Sequence, residues 1–312
     1  MEVINTQYEN KSKLVKFIKN NKINDNNLLV QIFTSNSNLK FINKLITNIK
    51  SFLPDAKIIG STTAGEIIEG KMLEERTVIS FSSFEDTSLE VVAIRNNDRD
   101  YFTTGMKMGE KLISDKTKAI ILFSDSTYTN AEDLIKGIEK VDNQVVIAGG
   151  KAGDDVLSKK TYVFTENEII NNGAVGVSLT GDRLKVFSNY NLGWQRIGKT
   201  MRITEANKNR VYKIDNEPVN KIYARYLGDE ISVNLPYSAI TEFPLICNRN
   251  GNSIARAVTG RKEDGSLIFA GNLKEGEEVQ FGYANVEMIL NNASRLLPDP
   301  KKIPIETIYI YS

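Results

Sequence analysis

Gly193-Trp194-Gln195-Arg196-Ile197-Gly198-Lys199-Thr200 has the spacing of a phosphate-binding loop. In such a loop, backbone amides and a helix N-terminus meet the phosphates, and the lysine reaches the terminal ones. That chemistry needs a buried strand before the loop and a helix after it. Here Met201-Arg202-Ile203-Thr204 alternates like a strand, and Trp194 and Ile197 are bulky for a loop that wraps a phosphate. The motif reads as a chance match, and no nucleotide is expected. Cys247 is the single cysteine and lies in the apolar run Phe243-Pro244-Leu245-Ile246. That context suits a small core residue rather than a nucleophile.

There is no histidine in the 312 residues. The usual triad base, the commonest metal ligand and the usual near-neutral proton shuttle are therefore missing. With one cysteine, a Cys/His zinc site cannot be built within the chain. We expect no catalytic residues, no metal site and no cofactor. Lys and Arg total 40 against 39 Asp and Glu, so the net charge of +1 supplies no basic field for nucleic acid. No apolar stretch reaches the length of a membrane span, and no secretory leader follows Met1. These features predict a cytoplasmic location.

Two turns carry the binding chemistry. Ser61-Thr62-Thr63-Ala64-Gly65-Glu66 and Gly149-Gly150-Lys151-Ala152-Gly153-Asp154 each end a short apolar strand. Ligands of open α/β sheets gather at carboxyl strand ends. Small residues there expose amides, while hydroxyls and charges add polar handles. The competing reading is a tight turn in which Gly meets backbone demands and the acid caps nearby amides. Trp194 stands beside Tyr190 and Arg196, where an aromatic wall and a cation suit a carboxylated ligand; the competing reading is that it fills the domain interface. Arg256 interrupts the apolar run Ile254–Val258, either as a solvated residue or as an anion clamp. Ser61, Thr62, Thr63, Glu66, Lys151, Asp154, Trp194 and Arg256 are the candidate ligand-binding residues. We expect the site near a junction of two domains.

The elements that position these residues repeat. Leu28–Phe33, a helix over 38–52 and Lys57–Gly60 precede the first turn; Val78–Phe81 and Leu89–Ile94 follow it as a hairpin. Ala119–Phe123, a helix over 130–140 and Val145–Ala148 precede the second turn; Ala174–Leu179 and Leu184–Phe187 follow it. The spacing predicts an α/β (α+β) fold with internally duplicated strand-helix-strand-hairpin units, 25–100 and 117–190. Each such sheet carries its helix on one face, so the two pack as a sheet-on-sheet sandwich with helices outside. Residues 1–24 are read as a helical segment. A smaller mixed domain is expected from about residue 198 to 312. It contains strands at 201–205, 211–214, 254–258, 267–270 and 279–282, helices at 217–227 and 284–296, and a last strand at 305–311.

The two turns resemble the signatures of FIST N-terminal domains. Gly193-Trp194, Met201-Arg202-Ile203-Thr204-Glu205-Ala206, Val211–Pro218, Phe243-Pro244-Leu245 and Asp264-Gly265-Ser266-Leu267 are similar to the passage into, and the body of, a FIST C-terminal domain. The resemblance implies a FIST N-terminal domain over 25–197 and a FIST C-terminal domain over 198–312. It implies an intracellular bacterial sensory input module. Such a module binds a small molecule, an amino acid or derivative, and passes the signal to a C-terminal output domain. That output would be of diguanylate cyclase, phosphodiesterase, histidine kinase or chemoreceptor type. The chain would then be one part of a longer protein, and the alternating Ile305–Tyr311 its connection to the next domain. A protein-interaction scaffold without a small ligand is the alternative. A homodimer is left open.

Overall fold

The computed structural model describes residues 1–24, 26–98, 100–153, 160–190, 193–228, 243–249, 251–284 and 305–311. The chain forms two compact units. One holds residues 1–188 together with 305–311; the other holds the described residues from 189 to 284.

The first unit runs β1 (Glu2–Gln7), α1 (Lys11–Asn20), β2 (Leu28–Thr34), α2 (Leu39–Lys50), β3 (Lys57–Thr62), β4 (Glu66–Ile68), β5 (Lys71–Leu73) and β6 (Thr77–Ser83). It continues β7 (Ser88–Arg95), α3 (Tyr101–Leu112), β8 (Thr117–Ser124), α4 (Ala131–Val141), β9 (Val146–Lys151), β10 (Val163–Thr165), β11 (Ile169–Ile170) and β12 (Gly173–Thr180). Each of the four described helices of this unit opens on a short polar side chain. Asn10, Asn38, Asp100 and Asn130 accept from amides of the first turn, which satisfies donors the helix itself cannot.

Two sheets result. The first has the order β1-β6-β2-β3-β10-β11, the second β7-β12-β8-β9. In each, one pair is parallel, β2 with β3 and β8 with β9. The strands β1-β6-β2-β3 and β7-β12-β8-β9 therefore share one order and one set of pairing senses. Alternation along each strand divides the cores. Leu28, Val30 and Ile32 of β2 pack under α1 and α2, while Leu29 and Phe33 face the other sheet. Ile120 and Leu122 of β8 pack under α3 and α4, while Ala119, Ile121 and Phe123 face the first sheet. The layers are helices, sheet, sheet, helices. The outer pair α3–α4 crosses at Gly105 and Gly137, where a Cβ would meet the Leu134 or Phe102 carbonyl at 2.0 or 2.1 Å.

The elements differ from the expected ones, beyond the added α3, β4–β5 and β10–β11, in their strand connections. Residues 2–7 are a strand, not part of a helical segment, and β1-α1 precedes β2 as β7-α3 precedes β8. Consequently β6 and β7 make no hairpin in one sheet: β1 and β2 already occupy both edges of β6, so β7 crosses to pair with β12. For the same reason Leu184–Phe187 is not a strand, because β7 and β8 flank β12 on both sides.

The second unit comprises β13 (Trp194–Asn207), β14 (Arg210–Ile214), β15 (Glu217–Pro218), α5 (Val219–Leu227), β16 (Leu245–Arg249), β17 (Asn252–Arg256), β18 (Val258–Arg261), β19 (Leu267–Phe269) and β20 (Glu278–Ala284). Its antiparallel sheet has the order β17-β16-β20-β13-β14-β19-β18, with β15 on β14. The edge strands β17 and β18 are separated by Ala257 alone, so the two edges approach each other and the sheet curls nearly closed. The run 254–258 is thus two strands rather than one. Met201, Ile203, Val211, Leu267, Phe269, Val279 and Phe281 fill the interior, and α5 adds Val219, Ile222 and Tyr223. Residues 305–311 form no strand but an extended segment on the first unit. The expected helix over 284–296 lies outside the described residues, apart from Ala284 at the end of β20.

Candidate functional site

β3 and β9 are each the second strand of a parallel pair, so their carboxyl ends emerge beside the ends of β2 and β8. Ser61 and Thr62 are the last residues of β3 and are buried. The Ser61 hydroxyl donates to the Thr62 carbonyl at 2.8 Å, and the Thr62 Oγ1 accepts the Tyr162 amide at 3.0 Å. Thr63 leaves the strand with its amide on the Thr34 carbonyl, at 3.0 Å. Its hydroxyl donates to Glu66 Oε1 at 2.6 Å, and Glu66 Oε2 accepts the Arg76 amide at 3.3 Å. Glu66 is 2% exposed. Burial raises its carboxyl pKa, while the bonds from Thr63 and the Arg76 amide oppose the rise.

At the second turn, Lys151 ends β9. The residue as a whole is exposed, but its Nζ is drawn back onto the Thr129 carbonyl, 3.0 Å away. Partial burial of the ammonium lowers its pKa, and the Asp125 carboxylate acts against that. Asp125, immediately after β8, is fully buried. It accepts the amides of Tyr128 at 2.7 Å and Gly173 at 3.0 Å, and the Thr129 hydroxyl. This carboxylate organises the loop around Lys151 rather than facing solvent.

The two turns meet. The Gly153 amide donates to the Thr62 carbonyl at 2.8 Å. A Cβ on Gly153 would stand 2.6 Å from the Ala64 nitrogen, so only glycine allows this approach. A second bridge runs through Thr161 and Tyr162. Thr161 Oγ1 accepts the Ser126 amide at 3.1 Å, and the next residue's amide lies on Thr62. Ser61, Thr62, Thr63, Glu66 and the Lys151 turn therefore belong to one polar region of the first unit. Asp154 lies outside the described residues. Asp125, Ser126 and Thr161 were not singled out from the sequence; the only signal was the polar Ser124-Asp125-Ser126 directly after an apolar strand.

Trp194 and Arg256 belong to the second unit. Trp194 is half-buried at the start of β13, opposite Ala284. The Arg256 guanidinium lies over Gly271, where a Cβ would come within 2.6 Å of its Nε, and donates to the Asn272 carbonyl at 3.5 Å. From Trp194 on, the apparent phosphate loop is part of β13, with an irregularity at Gly198 between Ile197 and Met201, and Lys199 is ion-paired with Asp215 at 2.9 Å. Cys247 is buried and its thiol is pushed up to about 11, an unreactive setting. Among the described residues no acidic, cysteine or histidine cluster could hold a metal ion, and no helix is long and apolar enough to cross a membrane.

Comparison with known proteins adds what geometry alone does not. An uncharacterized protein of the archaeon Methanocaldococcus jannaschii is 22% identical over 261 residues, covering 75% of this chain. The chain spans about half the length of that relative, 50%. The FIST N domain matches residues 28–217 and the FIST C domain residues 220–312. Matches to both domains, in order and over most of its length, show that the chain belongs to the FIST family, the sensory domains of signal-transduction proteins.

Proposed function

We propose that the chain is an intracellular ligand-sensing input module. It binds a small polar molecule, an amino acid or derivative, at the joined carboxyl ends of β3 and β9. The observation that carries this reading is the Gly153–Thr62 bond, with the close packing of Gly153 on Ala64. It draws the two related turns into one hydroxyl-rich region with a partly desolvated ammonium. Thr63, partly exposed, offers its hydroxyl oxygen as an acceptor, and the buried Ser61 and Thr62 hold the turn that presents it. Lys151 meets the ligand's anionic group, and Glu66 holds the Thr63 turn in place. The equal strand order of the two sheets fits duplication of one unit, each copy giving one side of the site. Output passes to a further domain, of cyclase, phosphodiesterase, kinase or chemoreceptor type.

Micromolar affinity corresponds to about 8 kcal/mol. Neutral hydrogen bonds contribute about 0.5–1.5 kcal/mol each and charged ones about 1.5–3 kcal/mol. The Thr63 hydroxyl contact and the Lys151 ion pair thus supply a large share. Mass spectrometry of molecules retained by the purified chain, followed by calorimetry, tests this. Thr63→Val or Lys151→Met is expected to weaken the retained ligand about tenfold or more. A broad panel of amino acids and metabolites that neither co-purifies nor shifts the melting temperature removes the reading.

One observation favours protein recognition as a second reading. On the β4–β5 hairpin, Ile67 and Met72 are cross-strand partners and are 61% and 71% exposed. A paired apolar tip of this kind suits a protein partner. If Ile67→Ser leaves signalling intact in the full-length protein, that reading is excluded.

A further inference from the structure

The face of the first sheet that looks into the inter-sheet core changes character across its width. Leu29 and Phe33 on β2 are apolar, but Gln31 lies between them. Their partners on β6 include Ser82, opposite Leu29, and Ser80, opposite Gln31. Gln31 and Ser82 are 1% and 0% exposed. Burying an amide and a hydroxyl is costly unless each finds a partner. The partners come from the far end of the chain. The Tyr311 phenol donates to Gln31 Oε1 at 2.8 Å, and the Tyr309 phenol donates to Ser82 Oγ at 2.7 Å.

The rings are equally well received. Phe33 and Phe123 meet edge-on at 5.5 Å, and Tyr311 joins them at 6.4 and 5.7 Å. Tyr309 stacks on Tyr311 at 6.4 Å. The segment alternates, with Tyr309 and Tyr311 inward and half-buried, and Glu306, Ile308 and Ile310 exposed. Among the described residues no ladder joins it to either sheet, so side chains hold it. Apolar rings alone would leave Gln31 and Ser82 unpaired, so the slot favours a phenol over a phenyl group. Phe33 and Phe123 directly precede Thr34 and Ser124, whose carbonyls receive the amides of Thr63 and Ala152. The slot therefore lies one residue inside the strand ends.

We propose that this slot is a phenol-binding site which the chain's own Tyr309 and Tyr311 occupy, and that residues 305–311 dock and release as a unit, so that a second tyrosine-bearing strand competes for it. This goes beyond the ligand site at the turns and does not depend on it. Its test uses a fluorescent peptide with the sequence of residues 305–311 and the full chain. Anisotropy is expected to show binding to a Tyr309→Ala/Tyr311→Ala chain and about tenfold weaker binding to the native chain, whose slot is filled. A peptide with both tyrosines replaced by phenylalanine is expected to bind the emptied chain about tenfold more weakly than the tyrosine peptide. Should the alanine variant not fold, the native chain answers instead. Excess tyrosine peptide raises nitration of Tyr309 and Tyr311 by tetranitromethane severalfold, and the phenylalanine peptide leaves it unchanged. Equal affinity of the tyrosine peptide for filled and emptied chains, or nitration unmoved by it, overturns the proposal.

Discussion

Glu66 shows how a residue at a strand end is tied into the fold. It is buried, and its pKa lies above the ordinary value of 4.5. A raised folded pKa means that the folded state binds the proton more tightly than the unfolded state. The stability it contributes is full below the ordinary glutamate value and is lost as pH rises through the raised folded value. Glu66→Gln is therefore expected to flatten the fall in stability on going from about pH 4 to pH 7, read from urea midpoints. The same slope in both proteins would show that burial at Glu66 is not felt. Gly153 acts through space instead. Gly153→Ala brings a methyl group against the Ala64 nitrogen, 2.6 Å from the position of its Cβ. A loss of about 1–3 kcal/mol in urea unfolding is expected, the usual cost of overpacking. No loss at all would mean that the two turns do not pack as described.

At the scale of elements, the extended course of β13 decides the fate of the phosphate-loop spacing. No helix N-terminus follows Thr200: the residues from Met201 onward pair with β20 and β14, and the Arg202 amide donates to the Asp215 carboxylate. Lys199 is already paired with Asp215. Magnesium-ATP is expected to leave the melting temperature unchanged. A micromolar affinity that disappears in Lys199→Ala would overturn this. The same logic explains where the strands of the first unit go. A strand has two edges, and once β1 and β2 hold those of β6, β7 must find a partner in the other sheet. Sheet-to-sheet crossing is thus forced by an element whose own pattern is weak: β1 has intermediate and exposed positions only.

For the molecule as a whole, residues 305–311 tie the far end of the chain to the first unit, and tyrosine ionisation reports on that tie. Burial pushes the Tyr309 phenol up to about 12, and raises Tyr311 and Tyr223 as well. These groups contribute stability as neutral phenols at and below the ordinary value of 10.0, and it is lost as pH rises from there through their folded values. Alkaline unfolding is expected to begin above about pH 10 and to shift upward in a Tyr309→Phe/Tyr311→Phe chain, with Tyr223 supplying the remaining dependence. Identical alkaline midpoints in the two proteins would mean that the segment does not hold its phenols in the core.

The central strands and helices α2, α4 and α5 were legible because each carries a period that burial dictates. Continuous apolar runs mark strands covered on both faces, and Ile42, Leu45, Ile46 and Ile49 mark one side of a helix. The two turns were legible from glycine and hydroxyl residues directly after such strands. So was the absence of a helix after Lys199, since alternation there excludes it. Other features depend on contacts far apart in sequence. That β1 is a strand, that β7 leaves its neighbour, and that Asp125 is a buried organiser all follow from which edges and donors remain free. Local pattern does not encode that. Tyr309 and Tyr311 illustrate the division. Their alternation read as a strand, but ladder pairing needs an open edge, whereas phenols need buried acceptors. The tertiary structure presents Gln31 and Ser82, so side-chain bonds rather than a sheet decide where the segment lies.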